Sequence, residues 1–540
     1  MKITGQDQGN SHRDFLYSIL ICFAFLIVLL YWASIQFFFT LNGNVTWLLI
    51  AAERFLNGEI LLNSYYETNP PLSFLIYTPF VLISKITGIA SPIITTTVTY
   101  ILVCGSLFLT ERILRCFDWL DAIDRYVFIG AFMIGITSVA NVFFADREHL
   151  MVMAMMPFLL CQYAISKDIK LPRIALFISL SLGTIAFLVK PHYGILPFII
   201  LCSRAFQQKR IGVIFDQDFM FLAIGTLLYL CVLFLFFNDY LMLILPDVIN
   251  LYIHGESFKD TAQAFFPYFM AIFSLLIAES FLEDLDKKTH RFLLFIHFCT
   301  LLFCIPALVQ FKGYYNHIIP ALAFLLPALS FSICIRMKRF LKPQISMSLP
   351  IIMVLILSYI AIPLDTDFPK FTDIKKLPLG LYIDKNCPDP CTFFVLHSDI
   401  EIINPTAAYT KWEHGTRFPA YWFIPRIDGS EYLQSNGHAT TLSKNEVARL
   451  KEKYTNFVVE DFEHYKPSLV LIGTDIIVVD DKVFSFLEFF GSDENFQKSF
   501  TNKYTKTDEF SFDQGLYFGG TSLEKTEIKH YDVYIRNNFL

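Results

Sequence analysis

Charge is what this 540-residue chain has least of. Asp, Glu, Lys and Arg make up 17% of it, against 54% hydrophobic residues. A soluble chain of this length exposes far more charge, so a purely aqueous globular protein is excluded. A basic tract is also missing, and the net charge of −6 gives no reason to expect nucleic acid as a partner. No Gly-rich phosphate loop, no Ser-His-Asp spacing and no internal repeat occurs, which sets aside nucleotide-loop and serine-triad chemistry and the repeated halves common in transporters. The first apolar run follows a polar start, "MKITGQDQGNSHRD", and has no small-residue cleavage site after it. That predicts an uncleaved first helix rather than a removed signal peptide. Eleven cysteines are scattered, most of them in apolar runs where a thiol is a small apolar filler. The exception is "CPDPC", Cys387 and Cys391, which predicts a local disulfide if that segment lies outside the cytoplasm.

Long apolar runs are what the chain has instead. They fall at roughly 15–40, 93–111, 126–144, 149–165, 173–189, 193–206, 219–237, 262–280, 291–310, 318–335 and 348–363, which predicts about eleven membrane-spanning helices. The chain therefore reads as a polytopic α-helical membrane domain, residues 1–363, followed by a soluble α/β domain, residues 364–540. Positive charge orients it. Arg112, Arg115, Arg125, Lys167, Lys170, Arg173, Arg204, Lys209, Arg210, Lys287, Lys288, Arg291, Arg336, Lys338, Arg339 and Lys342 fall on one side. Arg54, Lys85, Arg147, Lys190, Lys259 and Lys312 fall on the other. The richer set is expected in the cytoplasm, with the second domain outside. This alternation holds only if "NPPLSFLIYTPFVLISKITG" (69–88) does not cross, so that stretch is expected to be a juxtamembrane or re-entrant helix with prolines at its start.

The outer loops carry few charges but group them: "NGNVTWLLIAAERFLNGE" (42–59), "YYETNPPLSF" (65–74), "ADREHL" (145–150), "LVKPHYG" (188–194) and "QFKGYYNHIIP" (310–320). Ionisable groups at a membrane boundary are costly unless paired or used. Arg147, Lys190, His192, Lys312 and His317 can grip a phosphate. Asp146, Glu67 and Glu148 can act as general base. Asn44, Trp47, Tyr66 and Tyr314 can hold or stack on a sugar or acceptor, as can Trp412 in the aromatic stretch "AAYTKWEHGTRFPAYWFIP" (407–425). Structural alternatives stand beside these roles. Asp146 can simply cap a helix, His149 can be a satisfied interface histidine, and the 407–425 aromatics can be ordinary packing. Together these groups suit transfer of a sugar from a lipid phosphate to a hydroxyl. The carboxylate takes the proton, and the cations stabilise the departing phosphate.

These same stretches, "WLLIAAERFLNGE", "YYETNPPLSFLIYTP", "REHL" and "KGYYNHIIP" in that order, resemble the GT-C superfamily of integral-membrane glycosyltransferases. The resemblance is to bacterial members akin to the lipid A aminoarabinose transferases and protein O-mannosyltransferases, and it covers roughly residues 15–335. It implies an inverting transferase that uses a polyprenyl-phosphate-linked sugar, with a glycan, lipid or protein as acceptor. The implied setting is a bacterial inner membrane, with the site and the second domain facing the periplasm. No cofactor is required by the pattern, and a divalent metal is possible because metal dependence varies across the superfamily. One departure is plain. The superfamily's early acidic residue falls where this chain reads "NGNVTW", with Asn42 and Asn44, and an amide cannot accept a proton. The base is then expected to be Asp146, with Glu67 next; Glu148 and Glu53 are the other candidates. A lipid-linked glycan transporter or a non-catalytic subunit of the same superfamily are the competing readings.

The last segment alternates helix and short buried strand. "CTFFVLHSD" (391–399), "SLVLIGTD" (468–475) and "HYDVYIRN" (530–537) are expected strands, with helices over 445–465 and within "FSFLEFFGSDENFQKSF".

Overall fold

The computed structural model describes residues 5–253, 258–282, 284–310, 314–361, 371–401, 403–410, 412–476, 482–513 and 528–539. The protein is mostly helical, and its C-terminal region carries a five-stranded sheet. The chain forms two compact units, each assembled from three stretches: Met1–Gln36, Thr96–Leu230 and Ser257–Ile362 in one, and Phe37–Thr95, Cys231–Glu256 and Pro363–Leu540 in the other.

Every one of the eleven expected spans contains a helix, but the helices differ in reach. Seven are long and apolar enough to cross a membrane: Phe15–Phe38, Ser91–Leu114, Arg147–Ser166, Gln217–Phe236, Thr261–Phe281, Lys287–Val309 and Ile319–Met337. Four others have 16, 17, 14 and 13 residues: Ala122–Thr137, Arg173–Val189, Ile195–Gln208 and Leu349–Ala361. At 1.5 Å per residue these are about 20–26 Å long, short of a roughly 30 Å hydrocarbon layer. The run expected over 126–144 stops early, at Thr137. Asn141 then adopts a left-handed φ of 42° and a single tight turn covers Asn141–Phe143. An apolar composition extends to Phe144, but the backbone has already turned, and hydropathy alone does not register that.

In the first unit the Arg147–Ser166 helix is the central element, with most of its side chains buried. Its neighbours come close where side chains are missing. A Cβ on Gly183 would lie 2.3 Å from the Phe158 ring, which seats the Arg173–Val189 helix against the central one. A Cβ on Gly135 would lie 2.8 Å from the Ala323 carbonyl oxygen, which does the same for Ala122–Thr137 and Ile319–Met337. The Ala122–Thr137 helix starts on a reciprocal cap between Asp121 and Asp124, and both carboxylates also accept from Lys338 Nζ at 2.6 Å. By contrast the Gln217–Phe236 and Thr261–Phe281 helices keep most of their apolar surface exposed, as a lipid-facing helix does.

In the second unit the sheet comprises β1 (Thr392–Leu396), β2 (Glu413–His414), β3 (Leu469–Gly473), β4 (Tyr504–Asp513) and β5 (Ile528–Arg536), in the order β2-β1-β3-β5-β4. β1 runs parallel to β2 and β3; β5 is antiparallel to β3 and β4. All five residues of β3 are buried, which is why this strand reads as a continuous apolar run. β4 was not expected. It is an edge strand, "YTKTDEFSFD", mostly exposed, and its polar sequence protects that edge. Cys387 and Cys391 are joined as a disulfide, with Cα atoms 5.4 Å apart.

The Gly43–Leu56 helix packs onto this α/β region. A Cβ on Gly43 would fall 2.3 Å from the Ile400 carbonyl oxygen, and Gly43 N donates to Glu401 Oε2 at 2.7 Å. Near its other end the buried Arg54 guanidinium donates to the carbonyls of Ser64, His414 and Thr416. The stretch 69–88 forms two short helices, Leu72–Leu75 and Thr78–Thr87, the second closed by Gly88 at φ 72°. At 4 and 10 residues neither reaches across a bilayer.

Candidate active site

The central helix of the first unit begins at the "ADREH" stretch, and its start is built with care. Asp146 is the N-cap: its backbone is extended, and its Oδ1 accepts from the Arg147 N–H at 2.6 Å. The residue before it, Ala145, sits at a left-handed φ of 65°, a costly conformation for a residue with a Cβ. His149 holds it there. The Ala145 N–H donates to His149 Nδ1 at 3.0 Å, so the ring proton is on Nε2, which donates to the Ile136 carbonyl at 2.6 Å. Both ring nitrogens are thereby used, and the ring packs 4.8 Å from Phe144. His149 is a neutral staple between two helices.

One turn into the helix, Glu148 Oε1 collects three partners from two other helix ends. Lys190 Nζ donates to it from just beyond the Arg173–Val189 helix. Asn316 Nδ2 donates at 3.0 Å, and His317 Nε2 lies 3.7 Å away, both in the turn before the Ile319–Met337 helix. Arg147 is buried beside them, its Nε 3.7 Å from Asp146 Oδ1. The second oxygens, Asp146 Oδ2 and Glu148 Oε2, are buried without a hydrogen-bond partner among the described residues; so are His192 Nε2 and the Tyr193 hydroxyl. Leaving such atoms unpaired is expensive, and native folds tolerate it mainly where something else is meant to bind.

Burial sets the protonation states. The Asp146 carboxyl is pushed up to about 6, by burial first and by the Glu148 charge second, against the pull of Arg147 and Lys190. Burial pushes the Lys190 ammonium down from its ordinary value. The His192 imidazole is pushed down to about 3 by burial and then by the Lys190 charge, so near neutrality it offers a hydrogen bond rather than a positive charge. Lys312 lies outside the described residues. Tyr314 is exposed at the edge of the same turn, its ring 5.8 Å from His317.

The second unit holds the remaining candidates, and most are fully engaged there. Glu67 is buried and accepts from the Trp47 indole at 2.6 Å and from Asn69 N and Nδ2 at 2.7 and 2.5 Å. Both of its oxygens are in use, which folds the Asn69-Pro70-Pro71 turn against the Gly43–Leu56 helix. Tyr66 is 1% exposed, its hydroxyl 3.0 Å from Tyr454, inside a cage of Phe418, Phe423 and Phe457. Asn42 is the N-cap of the Gly43–Leu56 helix and accepts from Val45 N at 2.9 Å, while Asn44 is half-buried in its first turn. Glu53 is exposed. Trp412 is buried in the apolar core beneath the sheet, with Lys375 Nζ 5.0 Å from its ring. Glu67→Ala removes the acceptor of three bonds and should lower the stability of this unit by about 3 kcal/mol. Thermal unfolding reads that loss; an unchanged melting temperature with abolished turnover would instead make Glu67 the base.

Sequence reasoning passed over Asn316 and Tyr193. Both stand in the quoted stretches, next to His317 and His192, but a neutral side chain gives no signal until its neighbour across the fold is known. His149 has no free nitrogen, Glu148 is held by Lys190, and no group of three His, Cys, Asp or Glu residues among the described residues is placed to share an ion.

No protein-family profile matches the chain. No curated protein matches it by sequence. Several solved structures resemble it, among them those of two glycosyltransferases. One is ArnT from Cupriavidus metallidurans. In its form bound to undecaprenyl phosphate the match has a TM-score of 0.47 at 10% identity, over 86% of this chain and 96% of that one. In its apo state it has a TM-score of 0.39 at 11% identity, over 85% and 93%. The other is the arabinofuranosyltransferase AftD from Mycobacteria, with a TM-score of 0.43 at 11% identity, over 96% of this chain and 40% of that one. The chain thus spans about two fifths of the length of AftD.

Proposed function

We propose that the protein is a membrane glycosyltransferase that moves a sugar from a polyprenyl-phosphate donor to an acceptor hydroxyl, with Asp146 as general base. The carrying observation is the Asp146 Oδ2 atom: a fully buried carboxylate oxygen, unpartnered among the described residues, beside two buried cations. The order of the GT-C-like stretches supports the donor class. In the step, the acceptor hydroxyl loses its proton to Asp146 Oδ2 as its oxygen bonds to the anomeric carbon. The bond from that carbon to the lipid phosphate oxygen breaks, and the phosphate leaves with the bonding pair. Arg147 and Lys190 supply positive charge for that leaving anion, and Asn316 a neutral donor. The incoming phosphate competes with Glu148 for Lys190, so Glu148 acts as the placeholder that keeps the lysine buried when no donor is present. On this reading the active site faces the periplasm of a bacterial inner membrane, and the acceptor is a glycan, lipid or protein of the cell envelope.

The test is transfer itself. Membranes carrying the protein are given radiolabelled polyprenyl-phosphate hexoses and pentoses, and label in the envelope fraction is followed together with free polyprenyl phosphate. Equal release of both products supports the reading; movement of intact donor across the bilayer without release makes the protein a transporter. The pH dependence follows from the state of the base. Because the Asp146 carboxyl is raised to about 6, its ionised form builds up as pH rises through that value. The kcat/KM should therefore climb tenfold per unit below about pH 6 and level off above it. A profile flat from pH 4.5 to 8 excludes this base.

A further inference from the structure

A second polar site lies at the other end of the central helix, about 24 Å along the axis from Asp146 at 1.5 Å per residue. Here a cavity of about 640 Å³ opens between the Arg147–Ser166, Ile195–Gln208 and Lys287–Val309 helices. Its charged groups, Lys167, Arg204 and Arg291, are all cationic donors. Arg204 is 4% exposed and its terminal nitrogens are held by Asp218 Oδ2 at 2.5 Å and Asp216 Oδ2 at 2.8 Å, which leaves its Nε–H without a partner among the described residues. Gln162 is 1% exposed. Its Oε1 faces Arg204 Nη1 at 3.4 Å, so its amide nitrogen is turned away from Arg204 and likewise has no partner among the described residues. At the mouth stand two cations, Lys167 and Arg291, with no acidic partner among the described residues. They are close enough that the Arg291 charge, after burial, holds the Lys167 ammonium below its ordinary value. The Lys167 and Arg291 charges repel one another, and an anion between them would relieve that repulsion. Leu276, Leu294, Phe295 and Phe298 form an apolar wall beside them. An anion that also carries a hydrocarbon chain matches both surfaces.

We propose that this cavity binds the phosphate headgroup of an anionic phospholipid, with Lys167 and Arg291 as charge partners and Gln162 and Arg204 as buried donors. The acyl chain lies along the Leu276–Phe298 wall. The site stands apart from the Asp146 cluster, and it belongs to the end that the positive-charge distribution assigns to the cytoplasmic leaflet, where basic pockets between helices meet acidic lipids.

The test uses the full-length protein in detergent, with phosphatidylglycerol, phosphatidylcholine and inorganic phosphate as probes and bound lipid counted by native mass spectrometry. Phosphatidylglycerol should bind more tightly than phosphatidylcholine. The double substitution Lys167→Gln with Arg291→Gln should weaken phosphatidylglycerol about 10- to 30-fold and leave phosphatidylcholine unchanged. Both side chains are exposed, so the fold should survive. Gln162→Met, which keeps the volume and removes the buried donor, should weaken the same lipid about fivefold. Inorganic phosphate at millimolar concentration should fail to displace it, because it lacks the chain that the apolar wall receives. Equal affinity in the double variant and the wild type overturns the proposal, as does displacement by inorganic phosphate alone.

Discussion

Asp146→Asn should abolish turnover without unfolding the protein. Removing a general base costs about 10²- to 10⁴-fold in rate. The loss should appear in kcat with little change in KM, because an amide can still hold the acceptor hydroxyl but cannot take its proton. The variant should also keep its shape. Asparagine caps a helix as well as aspartate does, and the Arg147 N–H retains its acceptor. The linkage sign makes a second, independent readout. The Asp146 carboxyl is raised in the folded state to about 6, so its ionised form burdens the fold. Stability therefore falls as pH rises from the unfolded value near 4 to about 6, and that loss persists above it. Asn carries no such burden, so at pH 7 the variant should be as stable as the wild type or more stable, by up to about 3 kcal/mol. Chemical denaturation at pH 5 and pH 7 measures the difference. An active, equally pH-sensitive Asp146→Asn protein ends the role assigned to this residue.

The Lys190–Glu148 pair should show the opposite balance. Lys190→Met leaves the Glu148 carboxylate buried without its ion-pair partner, with Asn316, His317 and the Arg147 charge nearby. Stranding one partner of a buried ion pair costs about 3–5 kcal/mol. Adding Glu148→Gln should recover most of that, since neither charge then remains to be buried; a double-mutant cycle by thermal unfolding gives the coupling. The pair also tunes the base. Lys190 lowers the Asp146 carboxyl and Glu148 raises it, so the break in the pH profile should move above 6 in Lys190→Met and below 6 in Glu148→Gln. Turnover in the double variant should stay low despite its recovered stability, because the leaving phosphate has lost one of its two cations. Full activity in a stable double variant would remove Lys190 from the chemistry and leave the pair a purely structural feature.

Much of this architecture is set by the sequence alone. Low charge and repeated apolar runs require a lipid environment, because no aqueous fold can cover that much hydrocarbon. Each expected span does contain a helix for the same reason: backbone polar groups in lipid must bond within their own segment. Period-two and continuous apolar runs mark β1, β3 and β5 of the sheet. The "ADREHL", "KPHYG" and "YYNH" stretches are legible as functional candidates because charge is so rare around them. Tertiary structure decides which of these groups are available. Glu67 and Asp146 look alike as acidic loop residues, yet Trp47 and Asn69 occupy both oxygens of Glu67, while one oxygen of Asp146 has no partner among the described residues. The residue type of His149 leaves its ring nitrogens open, and only the fold has Ala145 and Ile136 take both of them. Lys190 and Glu148 stand 42 residues apart in the chain, and only the convergence of three helix ends makes them a pair. Residue type and hydropathy are local properties, so one dimension suffices to read them. Whether a buried polar atom is already satisfied depends on partners brought from distant segments, and only the folded chain determines those.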